Sequence, residues 1–259
     1  MKDKKKLFLI PAAICLVIAG ISVAALTGGS KGLPEEMFLN QPQGLSGSGF
    51  LDHVHEYESP VDFEALWNVN DDIYAWLEIP GTDISYPVLQ SATDDTYYLD
   101  HTPEKNYSYE GALYTEHRYN TQDFTDPVTV IYGHNLLSGK YFGNMQAYYS
   151  DAANFNSSKQ MKIYLPDKEL TYELFAAVAF DDRHILYNSD YSDPNIFDHF
   201  FKTVSVSKEI GNNFDRDAFP EFGDRVLILS TCLNGDRSRR YLVMGKLTGE
   251  SSHLIIEDF

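Results

Sequence analysis

Cysteine is scarce in this sequence: only Cys15 and Cys232 occur among 259 residues. Cys15 lies inside an uncharged apolar run near the N-terminus, so the remainder of the chain carries a single thiol. An intramolecular disulfide within that remainder is therefore excluded. A lone cysteine in an exported domain is either buried and inert or reactive and retained for chemistry, and its neighbours must decide which.

Basic residues are also few, with 20 Lys and Arg against 38 Asp and Glu and a formal net charge of −18. Four of the lysines fall within the first six residues, so the rest of the chain is more acidic still. Such a body repels phosphate backbones, and nucleic acid is not an expected partner. The sequence has neither a nucleotide-type glycine loop nor histidine spacing typical of metal sites, so no metal and no other cofactor is expected.

Long uncharged runs of mostly apolar residues are absent except for Leu7–Leu26. Twenty residues match the hydrocarbon thickness of a bilayer when helical. The basic segment 1–6 before the run predicts a cytoplasmic N-terminus and an exported body. We therefore expect a single-pass transmembrane anchor at 7–26, with localisation at the cell membrane. The alternative is a cleaved signal peptide, for which Ser22-Val23-Ala24 offers a small-residue cleavage site.

Three composition changes divide the chain. Residues 27–50 are rich in Gly, Ser and Pro, and 27–58 is predicted to be a flexible stalk. The remainder, 59–259, is long enough for one extracellular domain with a core. An apolar content of 43% over the whole chain favours a folded protein.

Apolar spacing in this domain predicts helices first and then mostly strands. Residues 59–78 show roughly helical spacing, which predicts one or two short helices before a turn at Pro80–Asp83. Short apolar or alternating runs predict strands at 84–89, 112–115, 128–132, 161–165, 172–180, 226–231 and 241–247. One further helix is predicted at Ser192–Lys208, where Ser-Asp-Pro precedes an apolar stripe. The fold class is therefore mainly β, a mixed β-barrel with N-terminal helices and one helix inserted before the cysteine strand.

Cys232 ends the strand-like run RVLILSTCL, so its thiol is predicted at a strand exit. Arg240 opens the next strand after a polar loop at 234–239, and hairpin neighbours would bring the two together. A guanidinium there lowers the pKa of the thiol and offers donors to an oxyanion. Arg239 and Arg237 are the alternatives: Arg239 would point to the opposite face of an extended chain, and Arg237 reads as a solvated charge.

A thiol near its ordinary pKa needs a proton acceptor, and His134 is the best candidate among eight histidines. It follows the apolar run Val128–Tyr132, and Gly133 permits a backbone turn before it. The competing interpretation is an ordinary surface-loop histidine.

These segments carry a resemblance. YGHN (132–135), LSTC (229–232) and the strand that starts at Arg240 resemble the three signature regions of sortases, in the same order. The family pattern Thr-Leu-x-Thr-Cys has Ile228 in place of its first Thr here. WLEIPGTDISYPVLQ (76–90), Tyr97-Tyr98-Leu99 and the 192–208 helix are similar to class B sortases. The resemblance spans roughly residues 60–248.

The resemblance implies a cysteine transpeptidase with Cys232 as nucleophile, His134 as acid and base, and Arg240 at the oxyanion. It implies cleavage of a C-terminal sorting signal of secreted proteins after Thr, a thioacyl intermediate, and transfer to a cell-wall precursor amine. Residues expected to bind substrate are Tyr98, Leu99, Ser230 and Thr231, although the last two are equally well explained as plain strand residues. Alternatives are a hydrolytic cysteine peptidase, a non-catalytic binding module, and pilin polymerisation in place of wall anchoring.

Overall fold

The computed structural model describes residues 57–252. The predicted basic segment 1–6, the anchor 7–26 and all but the last two residues of the stalk 27–58 lie outside that range. Within 57–252, every helix is too short or too polar to cross a bilayer.

The described part of the chain is mainly β, as predicted. Its strands are β1 Ile73–Glu78, β2 Ser85–Leu89, β3 Leu113–Tyr114, β4 Val128–Tyr132, β5 Gln160–Tyr164, β6 Lys168–Phe180, β7 Asn213–Phe214, β8 Val226–Leu233 and β9 Asp236–Ser252. Its α-helices are α1 Phe63–Val69, α2 Met145–Tyr149, α3 Ala152–Ser157 and α4 Pro194–Ser205. Tyr97–Leu99 form a 3₁₀ turn.

The strands form a closed barrel. Their order is β5-β1-β2-β3-β4-β8-β9-β6, and β6 pairs back with β5 to close the ring, while β7 adds to β6. Two pairs, β2–β3 and β4–β8, are parallel and the others are antiparallel. This confirms the predicted mixed barrel, and the parallel pair β4–β8 joins the strand before His134 to the strand that carries Cys232.

Two apolar cores lie on opposite faces of the cysteine strand. Leu227 and Leu229 of β8 belong to the barrel interior, to which all strands of the ring contribute. Val226 and Ile228 belong to an outer core, which is covered by α4. Successive side chains of a strand point to opposite faces of the sheet. Ser230 and Cys232 therefore lie on the outer face, and Thr231 lies on the inner face.

The prediction of one or two helices over 59–78 is only half right. Helix α1 is capped by the side chain of Asp62, which accepts from the N–H of Ala65 at 2.9 Å. The second half is strand β1, flanked by β2 and β5. Five of its six residues are buried. A strand covered on both faces loses its alternation, so periodicity could not distinguish it from a buried helix.

Helix α4 confirms the helix predicted before the cysteine strand, in a shorter range. Asp193 caps it by accepting from the N–H of Asn195 at 2.8 Å, and Pro194 occupies the first turn. Its predicted apolar stripe is buried against the outer core. Helices α2 and α3, which follow the His134 loop, were not predicted because each has only one or two buried residues.

Candidate active site

Cys232 and Arg240 are direct partners across the β8–β9 hairpin. Directly opposed residues share a face of the sheet, with Cβ atoms about 5 Å apart. The turn consists of Asn234 and Gly235 alone, because Leu233 already pairs with Asp236. Strand β9 therefore starts at Asp236 and not after the predicted polar loop 234–239, but its ladder with β8 shifts register over residues 237–239 before Arg240 pairs with Cys232.

The arginines after Cys232 differ in their partners. Arg239 forms an ion pair with Glu209, its Nη1 donating to Oε2 at 2.8 Å. Arg240 has no carboxylate partner within residues 57–252, and its Nη1 donates to the backbone carbonyls of Arg237 and Arg239 at 3.3 and 3.2 Å. No carboxylate in the described part of the chain therefore forms an ion pair with Arg240, which lies on the same face as Cys232.

His134 reaches the same end of the barrel from the neighbouring strand. Strands β4 and β8 run parallel with Tyr132 opposite Ser230, and Gly133 continues the ladder by donating to the Ser230 carbonyl at 3.1 Å. His134 and Cys232 each lie two residues past this pair, at the same level. Both side chains are partly buried.

A backbone carbonyl orients the imidazole of His134. Its Nε2 lies 2.6 Å from the carbonyl oxygen of Leu99. Because a carbonyl can only accept, Nε2 must carry the hydrogen, and Nδ1 is left for proton transfer. The structure thereby selects one tautomer of the neutral ring.

Gly133 has a different role from the predicted one. Its φ is not positive, so no special turn requires glycine there. A Cβ at this position would lie 2.4 Å from Cδ2 of Leu113 and 2.7 Å from Cδ2 of Phe142. Glycine is needed because two core side chains pack against the backbone just before His134.

Asn135 is a site residue that the sequence analysis did not single out. Its Nδ2 donates to the carbonyl oxygen of Cys232 and to Oδ1 of Asn234, both at 2.8 Å. The ladder between β8 and β9 shifts register just after Cys232, and the Asn135 amide satisfies this carbonyl at the shift. The segment YGHN contained the signal, but nothing in the sequence showed which backbone group Asn135 meets.

Two tyrosines pair in the strands next to Ser230, which lies opposite Tyr132. Tyr132 stacks on Tyr114 with ring centroids 5.5 Å apart. Burial, followed by the charge of Glu116, raises the pKa of Tyr132 well above its ordinary value. Burial and Glu116 also raise the pKa of Tyr114, and the nearby Arg240 opposes that rise. Both phenols therefore stay neutral beside the cation.

Tyr98 does not line a groove, contrary to the prediction. It is 1% exposed, and its hydroxyl donates to Oδ2 of Asp72 at 2.5 Å and accepts from Nδ2 of Asn70 at 2.8 Å. These bonds anchor the 3₁₀ turn to the start of β1. Leu99 is partly buried, and its contribution to the site is the carbonyl held against His134.

The two strand residues predicted to bind substrate have different placements. Thr231 is 2% exposed, faces the barrel interior and pairs with Tyr241, so its side chain cannot reach a substrate on the outer face. Ser230 shares the face of Cys232 but is 4% exposed. The prediction is therefore wrong for Thr231, whereas Ser230 is adjacent to the site and covered.

The arrangement joins a thiol, an imidazole of fixed tautomer and a guanidinium at one end of the barrel. Such a set can perform nucleophilic acyl transfer, with the cation next to the position of a developing oxyanion. Among residues 57–252, no group of three or more His, Cys, Asp or Glu side chains is arranged to hold a metal.

Comparison with known proteins places this chemistry in a family. No family model matches the chain. Sortase B of Listeria monocytogenes is 29% identical over 185 residues, which cover 70% of this chain and 72% of that protein. The crystal structure of Clostridium perfringens sortase B is 25% identical with a TM-score of 0.60, covering 73% of this chain and 100% of that one. A Streptococcus pyogenes class B sortase involved in pilus biogenesis gives the same identity and TM-score, covering 73% and 98%.

Each of these matches covers at least 70% of this chain. Both the sequence relative and the solved structures are class B sortases or sortase B proteins. The chain is thus similar to class B sortases over most of its length, and this similarity supports a sortase-type cysteine transpeptidase.

Proposed function

We propose that this transpeptidase cleaves a C-terminal sorting signal of secreted proteins after Thr and transfers the acyl group to a cell-wall precursor amine. We also propose that it works at the outer face of the cell membrane, anchored by residues 7–26. The observation that carries the reaction is the direct pairing of Cys232 with Arg240 beside the oriented His134.

In the first half-reaction, the thiolate of Cys232 attacks the Thr carbonyl carbon and a C–S bond forms. Arg240 donates to the oxyanion that develops on the carbonyl oxygen. His134, as imidazolium, protonates the leaving amine from Nδ1, and the C–N bond breaks. The product is a thioacyl enzyme with a neutral imidazole.

In the second half-reaction, the acceptor amine attacks the thioester carbonyl. The neutral Nδ1 of His134 takes the proton of that amine, and the thiolate of Cys232 leaves. Nε2 keeps its hydrogen throughout, because the Leu99 carbonyl continues to accept it. The cycle ends with the starting charges on thiolate and imidazolium.

Pilus assembly is a second candidate within the same reaction class. It is favoured by the similarity to the Streptococcus pyogenes class B sortase involved in pilus biogenesis. In that case the acceptor would be an amine of another protein subunit, and the chemistry at Cys232 would be unchanged.

Intact-mass analysis of the purified full chain tests the proposed function. The chain is mixed with a panel of sorting-signal peptides containing Pro and Thr, with and without an oligoglycine or lysine amine. We expect an adduct on Cys232 equal to the acyl fragment, which is converted to an amide when amine is present. Cys232→Ala is the control and should form no adduct. Purely hydrolysed product with every amine would favour the peptidase alternative, and no adduct with any peptide would contradict the proposal.

A further inference from the structure

The orientation of His134 depends on a backbone group rather than on a carboxylate. Its Nε2–H donates to the Leu99 carbonyl at 2.6 Å. Leu99 is the last residue of the 3₁₀ turn, so the position of that turn decides where the acceptor lies. A substitution at Leu99 changes the side chain but leaves the backbone carbonyl in place. The position of that carbonyl therefore depends on the residues that pack against the Leu99 peptide.

Gly111 lies directly against this peptide. A Cβ at Gly111 would be 2.6 Å from the carbonyl oxygen of Tyr98, 2.7 Å from that of Leu99 and 3.0 Å from the Leu99 carbonyl carbon. Real Cβ atoms do not approach backbone this closely, so any side chain at this position would displace the peptide. Gly111 also has a φ of 60°, in the left-handed region that glycine adopts without strain.

Neighbouring bonds keep Gly111 in that position. The buried hydroxyl of Tyr141 donates to its carbonyl at 3.0 Å, and the N–H of Ala112 donates to the Tyr98 carbonyl at 2.9 Å. An ion pair between Lys140 and Glu110, with Nζ and Oε2 2.9 Å apart, joins the same two segments. The segment before β3 is thus fixed both to the 3₁₀ turn and to the loop that follows His134.

We infer that Gly111 is a positioning residue for His134: by packing without a side chain against the Leu99 peptide, it lets the Leu99 carbonyl hold the imidazole in the Nε2–H tautomer. The effect on turnover rests on the proposed function, whereas the effect on the tautomer does not. If Gly111 served only to form the turn, any residue that adopts a positive φ could replace it without changing the tautomer of His134.

Gly223 supplies a matched control. It too has a positive φ, of 103°, but a Cβ there would meet nothing within 4 Å. Gly223→Ala therefore introduces backbone strain alone, whereas Gly111→Ala introduces strain plus the clash with the Leu99 carbonyl. Comparing their thermal midpoints separates loss of stability from loss of positioning.

The test uses the full chain labelled with ¹⁵N-histidine, together with Gly111→Ala, Gly223→Ala and Tyr141→Phe. Two-bond ¹H–¹⁵N spectra, recorded at alkaline pH so that the imidazoles are neutral rather than in the imidazolium form, report the tautomer of each ring, and His134→Gln assigns the signal. We expect the parent protein and Gly223→Ala to show the Nε2–H form at His134, and Gly111→Ala to show a mixture of tautomers. With donor peptide and amine, Gly111→Ala should lose about 10²-fold in kcat with KM little changed, as expected for an ångström-scale misplacement.

Tyr141→Phe keeps the inference testable if Gly111→Ala does not fold. It removes the bond to the Gly111 carbonyl without adding bulk, and a smaller change in the same direction is expected for both the tautomer and kcat. A folded Gly111→Ala with the Nε2–H form and normal kcat would overturn the inference, as would an unchanged spectrum in Tyr141→Phe if that is the only variant to fold. If the parent protein turns over no peptide, the proposed function fails while the spectra still decide the role of Gly111.

Discussion

The arginines that follow Cys232 differ in what each side chain contacts. Arg239 is held by Glu209, and that carboxylate raises the pKa of the already strongly basic Arg239. Arg240 pairs with Cys232 in the ladder and has only backbone acceptors within residues 57–252. A cation already bound to a carboxylate is a poor donor to an oxyanion, so the structure favours Arg240 for the proposed role.

Substitution of Arg240 by Ala should reduce kcat/KM by about 10²–10³, the usual loss when one oxyanion donor is removed. Arg239→Ala should have a mild effect, because it removes a partly exposed ion pair away from the thiol. Specificity constants for the two variants, measured with one donor peptide, check this ranking. A larger loss for Arg239→Ala would show that the working cation lies on the other face of β9.

The role of a single residue could be predicted where a reactive or charged side chain stands next to a predicted strand. The juxtaposition of Cys232 and Arg240 was predictable because the apolar run before one and after the other marked adjacent strands, although Arg240 does not start its strand, which begins at Asp236. Tyr98 and Thr231 were misassigned because a sequence does not show which face of a short element is buried. Asn135 donates to the carbonyl of Cys232, far along the chain, and Gly111 lies against the Leu99 peptide; both contacts exist only after folding.

Strands β4 and β8 set the distance between His134 and Cys232. Strands β4 and β8 are parallel neighbours, so His134 and Cys232 leave the sheet at the same level. Beyond the ladder, the side chain of Asn135 continues the connection by donating to the Cys232 carbonyl. This bond replaces the strand pairing that is lost at the register shift, and it fixes the exit of β8 to the exit of β4.

Asn135→Ala should lower kcat with little change in KM, because the donor peptide binds as before while Cys232 and His134 lose their fixed separation. The expected loss is at least about tenfold, within the range that small misplacements produce. Stability should fall by about 1–2 kcal/mol, since the amide loses its hydrogen bond to the half-buried Cys232 carbonyl and a second one to the exposed Asn234 side chain.

Asn156→Ala is the control for Asn135→Ala. It removes an exposed amide bond to the Ala152 carbonyl, at 2.8 Å, within α3. Steady-state kinetics and urea unfolding of both variants provide the comparison. Equal kinetic behaviour of the two would show that Asn135 does not position the site.

Strand and helix boundaries were predictable to different degrees. β4 was predicted with its observed limits, because five apolar or β-branched residues lie between turn residues. β1 was read as helix, since burial on both faces removes the alternation. Strand β3 is only two residues long, and its ends depend on pairing with β2 and β4 rather than on its own sequence.

At the scale of the molecule, the number of predicted strands indicated a barrel, but it did not show which strands pair to close that barrel. Closure depends on β5 pairing with both β1 and β6. The first of these contacts joins residues far apart in sequence, and no local pattern specifies it. The mainly β class was predictable because many short apolar runs with few helices have few other ways to bury their surface.

The strongly acidic chain and its basic N-terminal segment together lead to a topology prediction. A body with net negative charge gains nothing from anionic lipid headgroups, so we expect the uncharged run at 7–26 to hold it at the membrane. Lysines before that run favour a cytoplasmic N-terminus and an external catalytic domain. There, the anchor would keep the enzyme near an emerging donor and an acceptor at the outer membrane face, which raises their effective concentration.

Protease treatment of intact protoplasts that express the full chain should therefore release a fragment close to residues 59–259, while a cytoplasmic marker stays intact. In the same protoplasts, an added amine should convert a reporter carrying a sorting signal to the amide product, because an external active site is accessible to both reagents. Cys232→Ala protoplasts provide the control for conversion. A body that resists external protease would contradict the orientation. Release of the catalytic domain into the medium without protease would instead show that the 7–26 segment is cleaved as a signal peptide. In that case the argument from effective concentration would fail, whereas the proposed transpeptidase chemistry would be unaffected.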